Sequence, residues 1–121
     1  MLSIFTQYNA LSFLLLQLTM AIIFIYHGWP KLSKPAGMAA GMGWSPLVVR
    51  VLGAVEILGG LGILLGAYSQ LSALVLALIM LGAIYTKISK WHIPFFSQTN
   101  TGWEFDFILL VVSLFLLTNS G

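Results

Sequence analysis

The chain has 121 residues, of which 60% are hydrophobic and 7% are charged, and its formal net charge is +2. Soluble domains carry roughly 25% charged residues, so this composition excludes an ordinary soluble domain and predicts a membrane protein. The absence of cysteine excludes disulfides, thiolate metal sites and dithiol redox chemistry in this chain, and the small net charge gives no indication of nucleic-acid binding.

Hydrophobic segments predict four membrane-spanning helices, at about residues 10–27, 45–68, 69–89 and 102–118. Short connections favour antiparallel neighbours. The sequence therefore predicts an all-α fold, an integral membrane antiparallel four-helix bundle, with a single domain over residues 1–121.

Residues that begin or end helices support these boundaries. Glycine and proline at Gly28 and Pro30 are expected to end the first helix near His27. Ser45 is a favourable N-cap for the second helix, whose first position would be Pro46. Thr101 and Glu104 have the spacing of a capping box at the start of the fourth helix, which is by itself a sufficient reason for Glu104.

Small residues on the second and third helices predict faces on which neighbouring helices approach closely, because lipid supplies no hydrophobic drive for helix association. The predicted packing positions are Gly53, Gly59, Gly60, Gly62, Gly66, Ala73 and Ala77.

Glu56 is the acid within the apolar stretch Gly53–Gly66. An acid inside a bilayer costs roughly 2.5–3.5 kcal/mol on insertion scales, so we expect Glu56 to face the protein interior and to be hydrogen-bonded. His27, Lys31, Arg50 or a tyrosine could be its partner, and the sequence leaves its charge state open. The structural alternative is that this acid only holds helices together.

The basic residues other than histidine all lie near the loops that follow the first and third predicted helices: Lys31, Lys34, Arg50, Lys87 and Lys90. The positive-inside rule then predicts a multi-pass protein of the cell (inner) membrane with cytoplasmic loops and both termini external.

The same half of the predicted bundle gathers candidate pocket residues, namely His27, Lys31, Arg50, Glu56 and Glu104. With aromatic residues nearby, such a pocket could hold an amphiphile such as a quinone headgroup. Spacings typical of a zinc or di-iron site are missing, so no metal is expected.

Three motifs resemble the DoxX-like family of small four-helix membrane proteins: His27-Gly28-x-x-Lys31, Gly53-x-x-Glu56-x-x-Gly59-Gly60 and Gly102-Trp103-Glu104. The family name comes from the small membrane subunits of an archaeal thiosulfate:quinone oxidoreductase. The resemblance implies a subunit of a membrane oxidoreductase assembly that responds to oxidative or thiol stress, and it places functional weight on His27, Lys31, Glu56 and Glu104.

Two classes of function remain open from the sequence. The first is a subunit of a quinone-linked redox complex in the lipid bilayer, with a partner oxidoreductase subunit or a homo-oligomer, and enzymatic only within that complex. The chain itself shows no cofactor motif, so quinone is the candidate ligand. The alternatives are a small transporter or channel element in which Glu56 is the proton or ion site, and a non-catalytic assembly or anchor protein.

Overall fold

A computed structural model describes residues 3–66, 68–99 and 101–119. A 3-10 helix, Ser3–Tyr8, precedes five α-helices: α1 Asn9–Ser33, α2 Ala36–Met42, α3 Pro46–Leu65, α4 Ser69–Ser89 and α5 Trp103–Asn119. The described part of the chain contains no strand. The predicted all-helical class is confirmed.

Three of the described helical stretches are long and apolar enough to cross a membrane: Ser3–Ser33, Pro46–Leu65 and Ser69–Ser89. Helix α5 has 17 residues, and at 1.5 Å per residue it is about 26 Å long, slightly less than a hydrocarbon core of about 30 Å. The chain is therefore a helical membrane protein.

The chain forms two compact units, Met1–Ala67 and Tyr68–Gly121. The first unit contains α1, α2 and α3, and the second contains α4 and α5. A single domain over residues 1–121 stays a prediction.

In the first unit, α1 and α3 pack as an antiparallel pair. Gln17, early in α1, donates its side-chain amide to the carbonyl of Ile63 near the end of α3, with an Nε2–O distance of 3.1 Å. Gly28, late in α1, lies against Gly53 near the start of α3. Because the residue order runs oppositely in the contacting helices, the pair is antiparallel.

Helix α1 continues to Ser33, so the predicted end near residue 27 is wrong. Pro30 lies inside the helix. Pro30 has no N–H for the Tyr26 carbonyl, yet the helix continues beyond it, and the Lys34 N–H donates to the Pro30 carbonyl at 2.7 Å. The extension brings Lys31 onto the helical surface.

The start of α3 follows the sequence prediction. Pro46 is its first residue, and the Ser45 hydroxyl accepts a hydrogen bond from the Val48 N–H at 3.3 Å. The helix ends at Leu65, before the predicted residue 68, because Gly66 adopts the left-handed conformation at φ 72° and serves as its C-cap.

In the second unit, α4 and α5 also pack as an antiparallel pair. Gln70, at the start of α4, donates to the carbonyl of Leu117 near the end of α5 at 3.1 Å, and Lys87, near the end of α4, approaches Asp106 near the start of α5. Helix α4 has the predicted bounds 69–89, and α5 begins and ends one residue later than expected.

The start of α5 differs from the predicted capping box. The Glu104 N–H, which a capping box would direct to Thr101, donates to the carbonyl of Phe95 at 3.0 Å. Gly102 permits this approach, because a Cβ at that position would overlap the Phe95 carbonyl oxygen. The loop backbone therefore caps α5.

The proposed packing residues have different surroundings. Gly53, Gly59, Gly60, Ala73 and Ala77 are buried, and Gly62 is half-buried. Gly66 is exposed, and a Cβ there would meet no atom within 4 Å. Its glycine is explained by the left-handed C-cap and not by helix packing.

Candidate functional site

The closest approach of α1 and α3 is at Gly28 and Gly53. A Cβ on Gly28 would lie 2.7 Å from the Gly53 carbonyl oxygen, and a Cβ on Gly53 would lie 2.6 Å from the Gly28 carbonyl oxygen. Real Cβ atoms do not approach a backbone so closely, so both positions require glycine. Lys31 follows one turn after Gly28 and Glu56 follows one turn after Gly53, which places both side chains beside the crossing.

Lys31 and Glu56 form an ion pair between the two helices. The Lys31 ammonium lies 2.7 Å from Oε1 and 2.8 Å from Oε2 of Glu56, so both carboxylate oxygens accept hydrogen bonds from one donor group. The Glu56 side chain is 1% exposed and the Lys31 side chain is 17% exposed. The expectation that Glu56 is buried and hydrogen-bonded is confirmed, with Lys31 as its partner.

The pair is reached from the end of α1. Only Leu32 and Ser33 follow Lys31 in that helix, whereas α3 extends from Glu56 back to Pro46. Those ten residues correspond to about 15 Å of helix. The short helix α2 packs against α3. The Lys31 side chain is the partly exposed member of the pair, and the Glu56 side chain is buried.

The other residues predicted for the pocket are exposed. His27 lies beside Tyr26, with ring centroids 6.0 Å apart in an edge-on arrangement. Arg50 is exposed in the second turn of α3, and Glu104 is exposed in α5 of the second unit. The structure thus brings together Lys31 and Glu56, and the convergence of all the pocket residues stays a prediction.

A second pair of a lysine and an acid lies in the second unit. The Lys87 ammonium is 2.6 Å from Oδ2 of Asp106, and the two side chains are 14% and 9% exposed. Within the described residues, however, Oδ2 has no partner at hydrogen-bond geometry. The short distance therefore shows an ion pair that is held by the attraction between the two charges.

Asp106 is the residue that sequence reasoning missed. It belongs to the buried stripe Asp106, Leu109, Ser113 and Leu116, which recurs at helical spacing on α5. That periodicity is visible in the sequence and distinguishes Asp106 from the exposed Glu104 two residues earlier. Among the described residues, no group of three or more His, Cys, Asp or Glu is placed to hold a metal ion.

Known proteins resemble this chain. A sequence model of the family described as DoxX matches residues 12–88, a range that contains His27, Lys31 and Glu56. A protein of Bacillus subtilis (strain 168) named "Putative oxidoreductase CatD" is 34% identical over 111 residues, which cover 88% of this chain and 78% of that protein. No solved structure matches the chain.

Proposed function

We propose a function for this chain on the basis of its family, because it belongs to the DoxX family. We propose that it is a small integral membrane subunit of a quinone-linked redox complex. In this proposal the Lys31–Glu56 pair holds the quinone headgroup. Sulfur or thiol compounds are the candidate substrates of the complex, as the family name suggests, and the relative's name supports an oxidoreductase role.

The observation that carries the proposal is the donor count at Lys31. An ammonium has three N–H donors, and Glu56 accepts two hydrogen bonds from it, at 2.7 and 2.8 Å. The remaining donor belongs to the side chain that is 17% exposed. A quinone carbonyl accepts hydrogen bonds and donates none, so it suits the ammonium donor that Glu56 leaves unused.

Reduction of a quinone to a quinol consumes two electrons and two protons. Because the chain has no cysteine for dithiol chemistry, the electrons come from a partner oxidoreductase subunit or from a cofactor bound in the complex. Glu56 and Lys31 can relay the protons across a hydrogen bond that already exists. His27 and Glu104 would be further members of this relay if the predicted pocket forms.

The transporter alternative is less well supported. A cation at Glu56 would need carboxylate oxygens, and both of them accept hydrogen bonds from Lys31. The assembly or anchor alternative requires only that the ion pair stabilise the first unit. These three functions differ in what the pair binds, so binding experiments separate them.

The test uses Lys31→Gln, Glu56→Gln and His27→Ala in the host membrane, with Lys34→Gln as the matched control. Lys34 is an exposed lysine three residues after Lys31. Loss of a charge-assisted hydrogen bond costs roughly 1.5–3 kcal/mol, so we expect Lys31→Gln to weaken quinone binding about 10-fold or more.

Membrane assembly of the protein with its partner is measured separately from quinone-linked electron transfer. We expect Lys31→Gln, which leaves a buried carboxylate without its cation, to assemble in smaller amounts. Per assembled protein, Lys31→Gln and Glu56→Gln should transfer electrons slowly, and Lys34→Gln should behave as the unmodified protein. Normal electron transfer in assembled Lys31→Gln and Glu56→Gln proteins would favour the anchor alternative. Proton flux in proteoliposomes that Glu56→Gln abolishes would favour transport.

The proposed location is the inner membrane, with both termini external. The chain contains no cysteine, so a single introduced cysteine is labelled without background. We expect an impermeant reagent added outside to label Ser3→Cys and not Ser33→Cys. The reverse pattern would overturn the orientation and leave the fold unaffected.

A further inference from the structure

We propose that α1 pairs with the α1 of a second copy of this chain, through a row of apolar residues on the side of the helix away from α3. The protein is then a parallel homodimer in the membrane. This row contains neither Lys31 nor Glu56, so the inference does not rest on the proposed function and the two can fail separately.

Apolar residues recur along α1 at alternating intervals of three and four residues. This is the spacing of positions a and d in the heptad repeat of a coiled coil, and it continues over three heptads. Ile25 is half-buried and the others are exposed. These positions, here called the heptad seam, are Tyr8, Leu11, Leu15, Leu18, Ile22, Ile25 and Trp29.

The heptad seam and the surface that packs on α3 lie on different sides of α1. The buried residues of α1 are Met20, Ala21, Phe24 and Gly28, and none of them belongs to the seam. At 100° per residue, Ile22 lies about 160° around the helix from Phe24. The packing of α1 on α3 therefore leaves the seam for another partner.

Polar residues of the same stretch avoid the heptad seam. Lipid contacts every side of a spanning helix that protein leaves uncovered, so lipid alone requires no heptad spacing of apolar residues. Residues 3–19 contain seven polar side chains, and all of them lie off the seam: Ser3, Thr6, Gln7, Asn9, Ser12, Gln17 and Thr19. The separation of polar and apolar positions at this spacing indicates a helix as the partner.

The heptad seam begins beyond the end of α3. Gln17 bonds to the carbonyl of Ile63, and α3 ends two residues later, at Leu65. Because the pair is antiparallel, Leu11 and Tyr8 lie about 6 and 10 Å past that end. Each of these two side chains is 53% exposed. The start of α1 thus extends past its partner in the first unit and carries apolar side chains there.

A second copy of the chain is the partner that the heptad seam fits. Copies inserted in one membrane share their orientation, so two α1 helices meet in parallel and each seam residue faces its own counterpart. The seam contains no charged residue, so two identical surfaces meet without repulsion between like charges. From Tyr8 to Trp29 it is about 32 Å long, which is the length of a spanning helix.

Cysteine cross-linking tests the register, because the sequence contains no cysteine of its own. The full chain is reconstituted in phosphatidylcholine vesicles at a low protein-to-lipid ratio and treated with copper phenanthroline as oxidant. Leu11→Cys places a thiol in the heptad seam. Asn9→Cys is the matched control, because Asn9 is an exposed residue about 160° around the helix from Leu11.

We expect disulfide-linked dimers from Leu11→Cys and few from Asn9→Cys. Facing d positions of a parallel pair come close enough for a disulfide, which spans roughly 4.4–6.8 Å between Cα atoms. In host membranes, two copies of the unmodified chain that carry different tags should purify together.

Truncation in the middle of the heptad seam measures what the seam contributes to association. The double variant Leu15→Ala with Ile22→Ala removes two a-position side chains, and Leu58→Ala is the matched control, an exposed residue of α3. Energy transfer between donor- and acceptor-labelled copies is followed as the protein-to-lipid ratio is varied. We expect the double variant to dimerise about 10-fold or more weakly. Leu58→Ala should stay within about twofold of the unmodified chain, and circular dichroism should show equal helix content in all three.

Three outcomes would overturn the inference. Energy transfer that does not exceed random encounter in the unmodified chain would show a monomer. Equal cross-linking of Leu11→Cys and Asn9→Cys would show collision without a fixed register. Cross-linking of Leu11→Cys to a different protein in host membranes, where tagged copies do not purify together, would assign the seam to that protein. None of these results bears on quinone binding at Lys31 and Glu56.

Discussion

Each of the two units pairs an acid with a lysine from a neighbouring helix, but the surroundings of the two pairs differ. Each carries a lysine in the last turn of its first long helix and an acid in the helix that packs antiparallel to it. In the first unit, Gly28 and Gly53 let the backbones touch, and the acid is enclosed with both oxygens bonded. In the second unit, Gly82 has open space around it and Asp106 keeps an oxygen without a directed donor.

In the first unit, close contact between the helix backbones occurs together with hydrogen bonds to both carboxylate oxygens of the acid. At Gly53 the neighbouring atoms include the Lys31 Cβ, at 2.8 Å from a Cβ built there. The close crossing therefore brings the base of the lysine side chain against α3, and its ammonium reaches both oxygens of Glu56. In the first unit, the hydrogen-bonded acid thus lies one turn from the glycine that allows the close crossing.

The largest expected effect is the loss of the lysine in each pair. Lys31→Met leaves a carboxylate that is 1% exposed without its cation, and breaking a buried pair in this way costs about 3–5 kcal/mol of unfolding free energy. Lys87→Met should cost less, because the dipole of α5 stabilises an acid in its first turn by about 0.3–1 kcal/mol. Unfolding is measured in one detergent for both variants.

A double variant shows whether the loss comes from the uncompensated charge. Lys31→Met combined with Glu56→Leu removes both charges, and replacing a whole buried pair by apolar residues is often neutral or stabilising. We therefore expect the double variant to regain most of the stability lost in Lys31→Met. An equal or larger loss in Lys87→Met than in Lys31→Met would contradict the comparison between the units.

The next effect concerns the glycine contacts. Gly53→Ala places a Cβ 2.6 Å from the Gly28 carbonyl oxygen, and such overpacking costs about 1–3 kcal/mol. Gly82→Ala is the matched control in the second unit, because a Cβ there meets nothing within 4 Å. It should be neutral or should stabilise α4 by up to about 1 kcal/mol through helix propensity. If thermal unfolding showed Gly82→Ala to be less stable than Gly53→Ala, the close crossing of α1 and α3 would be refuted.

Much of the fold follows from local signals in the sequence. Ser45 caps α3 and Pro46 opens it as predicted, because an N-cap depends on a few adjacent residues. Ser69 begins α4 at its predicted position. The end of α1 was mispredicted, because whether a helix continues through Pro30 depends on what its last turn packs against. That information lies in Gly53, on another helix.

The site was only partly predictable for the same reason. Burial of Glu56 follows from the cost of an acid in lipid, but several cations could have been its partner. Arg50 lies on the same helix and is exposed, whereas Lys31 comes from α1 through the extra turn that the sequence did not predict. The burial of Asp106 is predictable from the apolar periodicity of α5. The capping-box spacing instead favours Glu104 as the acid of interest.

The smallest expected effect tests burial alone. Gln17 donates to the Ile63 carbonyl and Gln70 donates to the Leu117 carbonyl, each at 3.1 Å and each in the last turn of the partner helix. The first bond is partly buried and the second is exposed, so they differ in surroundings and not in length. Side-chain hydrogen bonds between membrane helices average about 0.6 kcal/mol.

We expect Gln17→Leu to lose about that amount of unfolding free energy, and Gln70→Leu to lose less, because water can replace an exposed donor. The difference is measured by unfolding both variants and the unmodified protein in the same micelles. A larger loss in Gln70→Leu would mean that the second unit is held by polar contacts at its ends, and the contrast drawn between the two units would then fail.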